Sequence, residues 1–143
     1  MIIKVINGPN LNMLGVREPD IYGKGTYDEL CREITRQATQ HGDRVDFFQS
    51  NHEGALIDTI QSAQGNYDGI VINPGAYTHY SYAIYDALRA VTVPAVEVHL
   101  SDIENREPFR RISVTAPACV GQISGHGFAG YMEAMELLRE AAK

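Results

Sequence analysis

The sequence predicts an α/β fold: a doubly wound, five-stranded parallel sheet with helices on both faces, formed as a single domain by residues 1–143. Three observations predict it. Short apolar, β-rich runs alternate with segments of helical periodicity. One of those runs, Gly69–Asn73, is nearly all apolar, as a central parallel strand buried on both faces must be. No internal repeat, low-complexity stretch or interdomain linker interrupts the alternation.

The elements follow in order. Ile2–Ile6 is the first strand. A helix from about Thr26 to His41 places Tyr27, Leu30, Cys31, Ile34 and Ala38 on one face. Thr26-x-x-Glu29 is a capping box at its start, and Gly42 is a natural stop. Val45–Gln49 is the second strand, and Ser50-x-x-Glu53 reads as another capping box, opening a helix that buries Leu56, Ile60 and Ala63. After the third strand, Gly69–Asn73, a helix near Ser81–Ala90 leads to the fourth, Ala95–Leu100. Ala118–Ile123 is the fifth, and a last helix spans roughly Gly127–Ala142, with Tyr131, Met135 and Leu138 inward. Five strands with intervening helices make the fold flavodoxin-like.

Composition bounds the function. Lys and Arg number 12 and Asp and Glu 18, a formal net charge of −6, which argues against non-specific nucleic-acid binding. A local basic site for an anionic ligand is still compatible with it. Cys31 and Cys119 lack metal-ligand spacing; they read as small buried hydrophobes, with a reactive thiol or a disulfide as the alternatives. The chain opens directly on a strand and holds no 18-residue apolar run, so a cytoplasmic protein with no membrane partner is expected.

In open parallel sheets ligands bind outside the carboxyl ends of the strands. The connection after the first strand, residues 7–25, is far longer than the usual 2–6 residues and reads as a functional lid or an ordinary long surface loop. It carries Asn7, Asn10, Asn12, Arg17 and Tyr22 among bend-forming Gly and Pro. Asn73 and His79 follow the third strand; His99, Leu100, Ser101, Arg106 and Arg110 follow the fourth. Singly, each histidine is more often structural than catalytic. Gathered at one sheet edge, the set suits a single cleft. The G-x-G-x-x-G phosphate fingerprint, paired acids for magnesium, the H-E-x-x-H zinc motif and G-x-S-x-G are all missing. A base, an acid, amide donors and cations remain. They suit proton abstraction beside a carbonyl, with a substrate carboxylate held by cations.

Six segments, GPNLNMLG (residues 8–15), REPDIY (17–22), INPGAYTHYS (72–81), EVHLS (97–101), REPFR (106–110) and VGQISGHG (120–127), resemble signatures of the type II 3-dehydroquinate dehydratases. They run in family order and, with matching spacing, cover essentially the whole chain. The resemblance implies a lyase that dehydrates 3-dehydroquinate to 3-dehydroshikimate by anti elimination through an enolate. It implies neither metal, cofactor nor imine, and a homododecamer built as a tetramer of trimers. Position by position, Tyr22 matches the base, Arg17 the cation that lowers its pKa, and Asn10 the amide that stabilises the enolate with a bound water. His99 matches the general acid, supported by Glu97. Asn73, His79, Leu100, Ser101 and Arg110 match substrate-binding positions, and Arg106 a lid arginine. Asp86 is the position expected to reach a neighbouring site. Two residues depart from the pattern: Asp102 replaces a usual Asn, and His126 stands where a bulky apolar or aromatic residue is usual.

The chemistry asks for these types. Removing one donor from a developing oxyanion commonly costs on the order of 3–4 kcal/mol. A phenol with a pKa of about 10 is a poor base at neutral pH unless a fixed cation favours the phenolate, and Arg cannot lose its charge. Hydroxide leaves only with a proton, which a histidine of pKa ~6.5 can supply. His79 and His99 compete for that role on chemistry alone; Glu97, two residues before His99 on a strand, shares its side. The alternative is a flavodoxin-like binding or signalling module without catalysis. Such a carrier would want a Ser/Thr/Gly phosphate loop, and a receiver would want an Asp where Asn73 ends the third strand.

Overall fold

A computed structural model describes residues 1–16, 20 and 25–143. Strands β1 (Ile2–Asn7), β2 (Arg44–Gln49), β3 (Gly69–Asn73), β4 (Ala95–His99) and β5 (Gly121–Ser124) form one parallel sheet in the order β2-β1-β3-β4-β5. Among the described residues the connecting helices are α1 (Tyr27–Gln40), α2 (Glu53–Ser62), α3 (Tyr82–Ala90) and α4 (Ala129–Ala141). This is the flavodoxin-like topology expected. The chain winds to opposite sides from β1 and β3, so their carboxyl ends, where Asn7 and Asn73 are register partners, form the switch point.

Strand alternation divides the core in two. Ile3, Val5, Val71, Val96 and Val98 pack with Leu30 and Ile34 of α1 and with Tyr131, Met135 and Leu138 of α4. Ile6, Ile70 and Ile72 face the other way, against Leu56 and Ile60 of α2 and Ile84 and Leu88 of α3. Each fully buried aliphatic side chain contributes about 1.5–3 kcal/mol, so the sheet is a rigid base for its loops.

The two predicted capping boxes differ in the structure. Thr26 caps α1, its Oγ1 accepting from Glu29 N at 3.2 Å, as expected. Ser50 does not cap α2. His52 is the N-cap, without a side-chain bond; Ser50 Oγ accepts from His52 N at 3.0 Å, and the Glu53 carboxylate instead accepts from Ser81 Oγ at 2.5 Å. A tertiary partner has won the acid away from the local motif. Ser81 in turn caps α3, accepting from Ile84 N at 3.0 Å.

The fifth strand begins later than its apolar run suggests. Ala116–Ala118 is a turn of 3-10 helix around Pro117, and Cys119 N donates back to Ala116 O at 2.9 Å. Pairing with β4 begins only at Val120 N, 2.8 Å from Ala95 O. Helix α4 begins at Ala129, after Gly127 has taken a φ of 58°. Cys31 and Cys119 are free and half-buried rather than fully buried. Burial pushes the Cys119 thiol up to about 12, so it is inert near neutral pH. No helix among the described residues is long and apolar enough to cross a membrane.

Candidate active site

The loops after β1 and β3 touch because one residue is glycine. Gly8 N donates to Asn73 O at 2.8 Å, and a Cβ on Gly8 would lie 2.4 Å from Pro74 O. This contact brings Pro9 and Asn10 beside Asn73 and Gly75. Asn10 takes the left-handed conformation, φ 70°, as the one non-glycine residue with positive φ among those described. Asn tolerates that region better than most residues, and its backbone N–H is held by Asn51 Oδ1 at 3.0 Å.

The third side of the site comes from β4 and the segment after it. Turns of 3-10 helix at Ile103–Asn105 and Pro108–Arg110 place Arg106 and Arg110. Asp102 caps the first turn: Oδ1 accepts from Glu104 N at 3.0 Å and Oδ2 from Asn105 Nδ2 at 2.7 Å. An Asn there could keep the first bond but not the second, since its amide nitrogen cannot accept. The departure therefore reinforces the turn that leads into Arg106.

These loops line a cleft with about 550 Å³ of empty space, part of it open to solvent. Asn10, Asn73, His79, His99, Leu100, Ser101, Arg106 and Arg110 line it, with Leu11, Leu14 and Ile103 supplying apolar wall. Eight of the twelve residues selected from the sequence thus meet in one place. Arg106 Nη1 donates to Ser101 Oγ at 3.3 Å, and Arg110 Nε lies 2.9 Å from the Glu107 carboxylate. Cations and hydroxyls at this density suit an anionic, hydroxylated ligand.

Glu97 lies beneath the cleft, fully buried. Its Oε2 accepts from Thr78 Oγ1 at 3.0 Å, Ser113 Oγ at 2.7 Å, Gln122 Nε2 at 2.9 Å and His99 Nε2 at 2.7 Å; Thr115 Oγ1 donates to Oε1. Burial by itself would raise its pKa, but the His99 ring and the Thr115 and Ser113 hydroxyls outweigh burial and hold the carboxyl below its ordinary value. An ionised carboxylate only accepts, so His99 Nε2 carries a proton and Nδ1 is the nitrogen left for chemistry.

His79 is fixed in the complementary sense. Its Nδ1 lies 2.7 Å from Ile112 O, a pure acceptor, so Nδ1 carries the proton and Nε2 is an acceptor in the neutral ring. Burial lowers its pKa, the Ile112 carbonyl partly restores it, and His99 and Arg110 lower it further. At neutral pH His79 is a neutral imidazole, suited to accept from a ligand hydroxyl. Val114 N donates to Thr78 O at 2.7 Å, so the strip 112–115 is laced to the loop after β3 and fixes both histidines.

The remaining selected residues lie elsewhere. Tyr22 and Arg17 fall outside the described residues. Asp86 is exposed on α3 and does not line the cleft of its own chain. His126 is exposed, its Nδ1 2.6 Å from Glu133 Oε2, and stands apart from the cleft. The shell of Thr78, Ser113, Thr115 and Gln122 around Glu97 was not anticipated. Two hydroxyls spaced as Ser113-x-Thr115, with an apolar residue between, were the available signal. Among the described residues no group of three or more His, Cys, Asp or Glu could hold a metal ion.

The fold and the switch-point cleft define a flavodoxin-like α/β protein, and comparison with known proteins narrows the class. The family described as dehydroquinase class II matches residues 1–139. The chain is 56% identical over 139 residues to the 3-dehydroquinate dehydratase of Clostridium acetobutylicum, covering 97% of this chain and 96% of that one. It is 58% identical over 139 residues to the enzyme of the same name from Caldicellulosiruptor saccharolyticus, covering 96% of each. The crystal structure of a type II dehydroquinase from Butyrivibrio crossotus matches with a TM-score of 0.96 at 55% identity, covering 97% of each chain. That of a type II dehydroquinase from Propionibacterium acnes matches with a TM-score of 0.92 at 40% identity, covering 96% of each. The chain belongs to the class II dehydroquinase family.

Proposed function

We propose that residues 1–143 form one catalytic domain that dehydrates 3-dehydroquinate to 3-dehydroshikimate by anti elimination through an enolate. Family membership supports the reaction, and the observation that carries the residue roles is the cleft itself. It collects eight family-matched positions, among them a histidine whose proton is fixed by a buried carboxylate.

In this reading Tyr22, made acidic by Arg17, removes the proton beside the ketone. The electron pair moves onto the ketone oxygen, where the Asn10 amide and a water stabilise the enolate. The pair then returns to form the carbon–carbon double bond as hydroxide leaves the neighbouring, carboxylate-bearing carbon. His99, as imidazolium, gives its Nδ1 proton to that hydroxide, while Glu97 holds Nε2 and stabilises the cationic ring. Asn73, Leu100 and Ser101 receive the carboxylate, with Arg106 closing over it and His79 and Arg110 binding ring hydroxyls. No metal or organic cofactor takes part, and neither nucleic acid nor membrane is a partner. The enzyme works in the cytoplasm as a homododecamer, a tetramer of trimers, in which exposed Asp86 reaches a neighbouring subunit's cleft.

The binding-module alternative has no observation in its favour, because the relatives compared above carry the names of enzymes. The direct test is to mix the protein with 3-dehydroquinate and follow ultraviolet absorbance. A rise from the conjugated product is expected, unchanged by a strong chelator or by borohydride added with substrate. No rise at micromolar protein would refute the reaction. Loss of activity with chelator would refute metal independence, and loss with borohydride would indicate an imine.

A further inference from the structure

We propose that Tyr131, buried in α4 and outside the cleft, is a positioning residue for substrate binding: its hydroxyl steadies the Asn73 amide, whose polarity the Gly75 backbone N–H sets, so that the second amide N–H is aimed at the cleft. The inference rests on the reading of the cleft as the 3-dehydroquinate site.

One donor in this network cannot be reversed. Gly75 N, a backbone N–H, lies 3.1 Å from the Asn73 side-chain amide, so the amide atom facing it must be the oxygen. The nitrogen of Asn73 then faces Tyr131 Oη, at 3.1 Å, and donates to it. Having accepted there, Tyr131 gives its one proton to the next amide, Asn7, at 2.6 Å; the atom of Asn7 receiving it must be Oδ1. That leaves Asn7 Nδ2 to donate to Tyr27 Oη at 3.2 Å. One backbone N–H thereby sets the direction of every bond in the chain, with no freedom to flip a single member. Burial pushes the Tyr131 hydroxyl above its ordinary pKa, so it keeps that proton at working pH.

Tyr131 and Asn7 are fully buried and Asn73 is nearly so. A phenylalanine would fill the same core volume without desolvating a hydroxyl, so the hydroxyl has to be accounted for by its partners. Those partners are the last residues of β1 and β3, paired in register at the switch point. An amide nitrogen has two protons. Tyr131 takes one from Asn73, and the second belongs to the wall of the cleft, where a substrate carboxylate needs a donor. Without the hydroxyl the amide is held only at its oxygen, by Gly75, and can tilt about its last torsion.

Tyr131→Phe should raise KM for 3-dehydroquinate about tenfold, the equivalent of one hydrogen bond, with kcat within about threefold. A double-mutant cycle separates positioning from general loosening. In an Asn73→Ala background, adding Tyr131→Phe should change KM less than about twofold, because the group acted upon is gone. If Tyr131→Phe does not fold, Asn7→Ala takes its place in the same cycle, since it deprives the Tyr131 proton of its acceptor. Turnover by the wild type with an unchanged KM in the single variant, or with additive effects in the cycle, overturns this inference alone. Absence of turnover by the wild type overturns the reading of the cleft and this inference with it.

Discussion

Replacing Tyr22 by Phe is expected to lower kcat at least about 100-fold, the low end of general-base contributions, while KM changes little. The substitution removes one oxygen and keeps the ring, so packing of the loop should largely survive. The loss falls on the transition state, where the proton is in flight. Arg17→Lys should also be severe, because Lys places its charge differently and cannot reproduce the guanidinium fork. The pH profile gives an independent check. The rate rises with pH as the base ionises, and that limb should have an apparent pKa well below about 10 in the wild type and vanish in the Phe variant. A near-normal kcat with raised KM would make Tyr22 a contact only. The base would then lie between His79 and His99, although His79 has one nitrogen committed to Ile112 O and His99 has one committed to Glu97.

The second large effect concerns Glu97. Glu97→Gln keeps shape but replaces one carboxylate oxygen by an amide nitrogen, which cannot accept from the hydroxyls and the His99 ring that converge there. The variant should lose about 100-fold in kcat, since the imidazolium loses its counter-charge and the ring its fixed tautomer. It should also unfold about 2–3 kcal/mol more easily, because buried donors are left unmatched. Acid titration shows the same group by linkage. The folded pKa of Glu97 lies below the ordinary 4.5, so its stabilisation is complete above that pH and is lost as pH falls through the folded value. That share of the acid sensitivity should be missing in the Gln variant. Equal kcat in the two proteins would make the Glu97–His99 pair structural.

The fold and most of the cleft were legible in the sequence for physical reasons that can be named. Strand and helix periods differ, so the alternation of elements was plain, and the switch-point rule then pointed to the loops that line the cleft. Glu97 and His99 share a face because strand side chains alternate, and the structure pairs them at 2.7 Å. Local motifs failed where a distant partner competed. Ser50 and Glu53 form no capping box because Ser81 claims the acid, and Pro117 delays β5 despite the apolar run behind it. The shell around Glu97 draws Thr78, the Ser113-x-Thr115 pair and Gln122 from three segments; the pair's spacing marks a shared face, but nothing in a linear pattern says that this face meets Glu97. Tyr131 was correctly read as an inward face of α4, yet its period says nothing about where the hydroxyl end goes.

In the proposed mechanism, base and acid act from opposite faces of the substrate ring. Supplying 3-dehydroquinate with deuterium stereospecifically in place of one of the two hydrogens on the carbon between the ketone and the carboxylate-bearing carbon, and reading the product by nuclear magnetic resonance or mass, tests this. Deuterium anti to the departing hydroxyl should be lost to solvent and deuterium syn to it retained. Loss of the syn label, with the anti label kept, would place both proton transfers on one face and contradict the account.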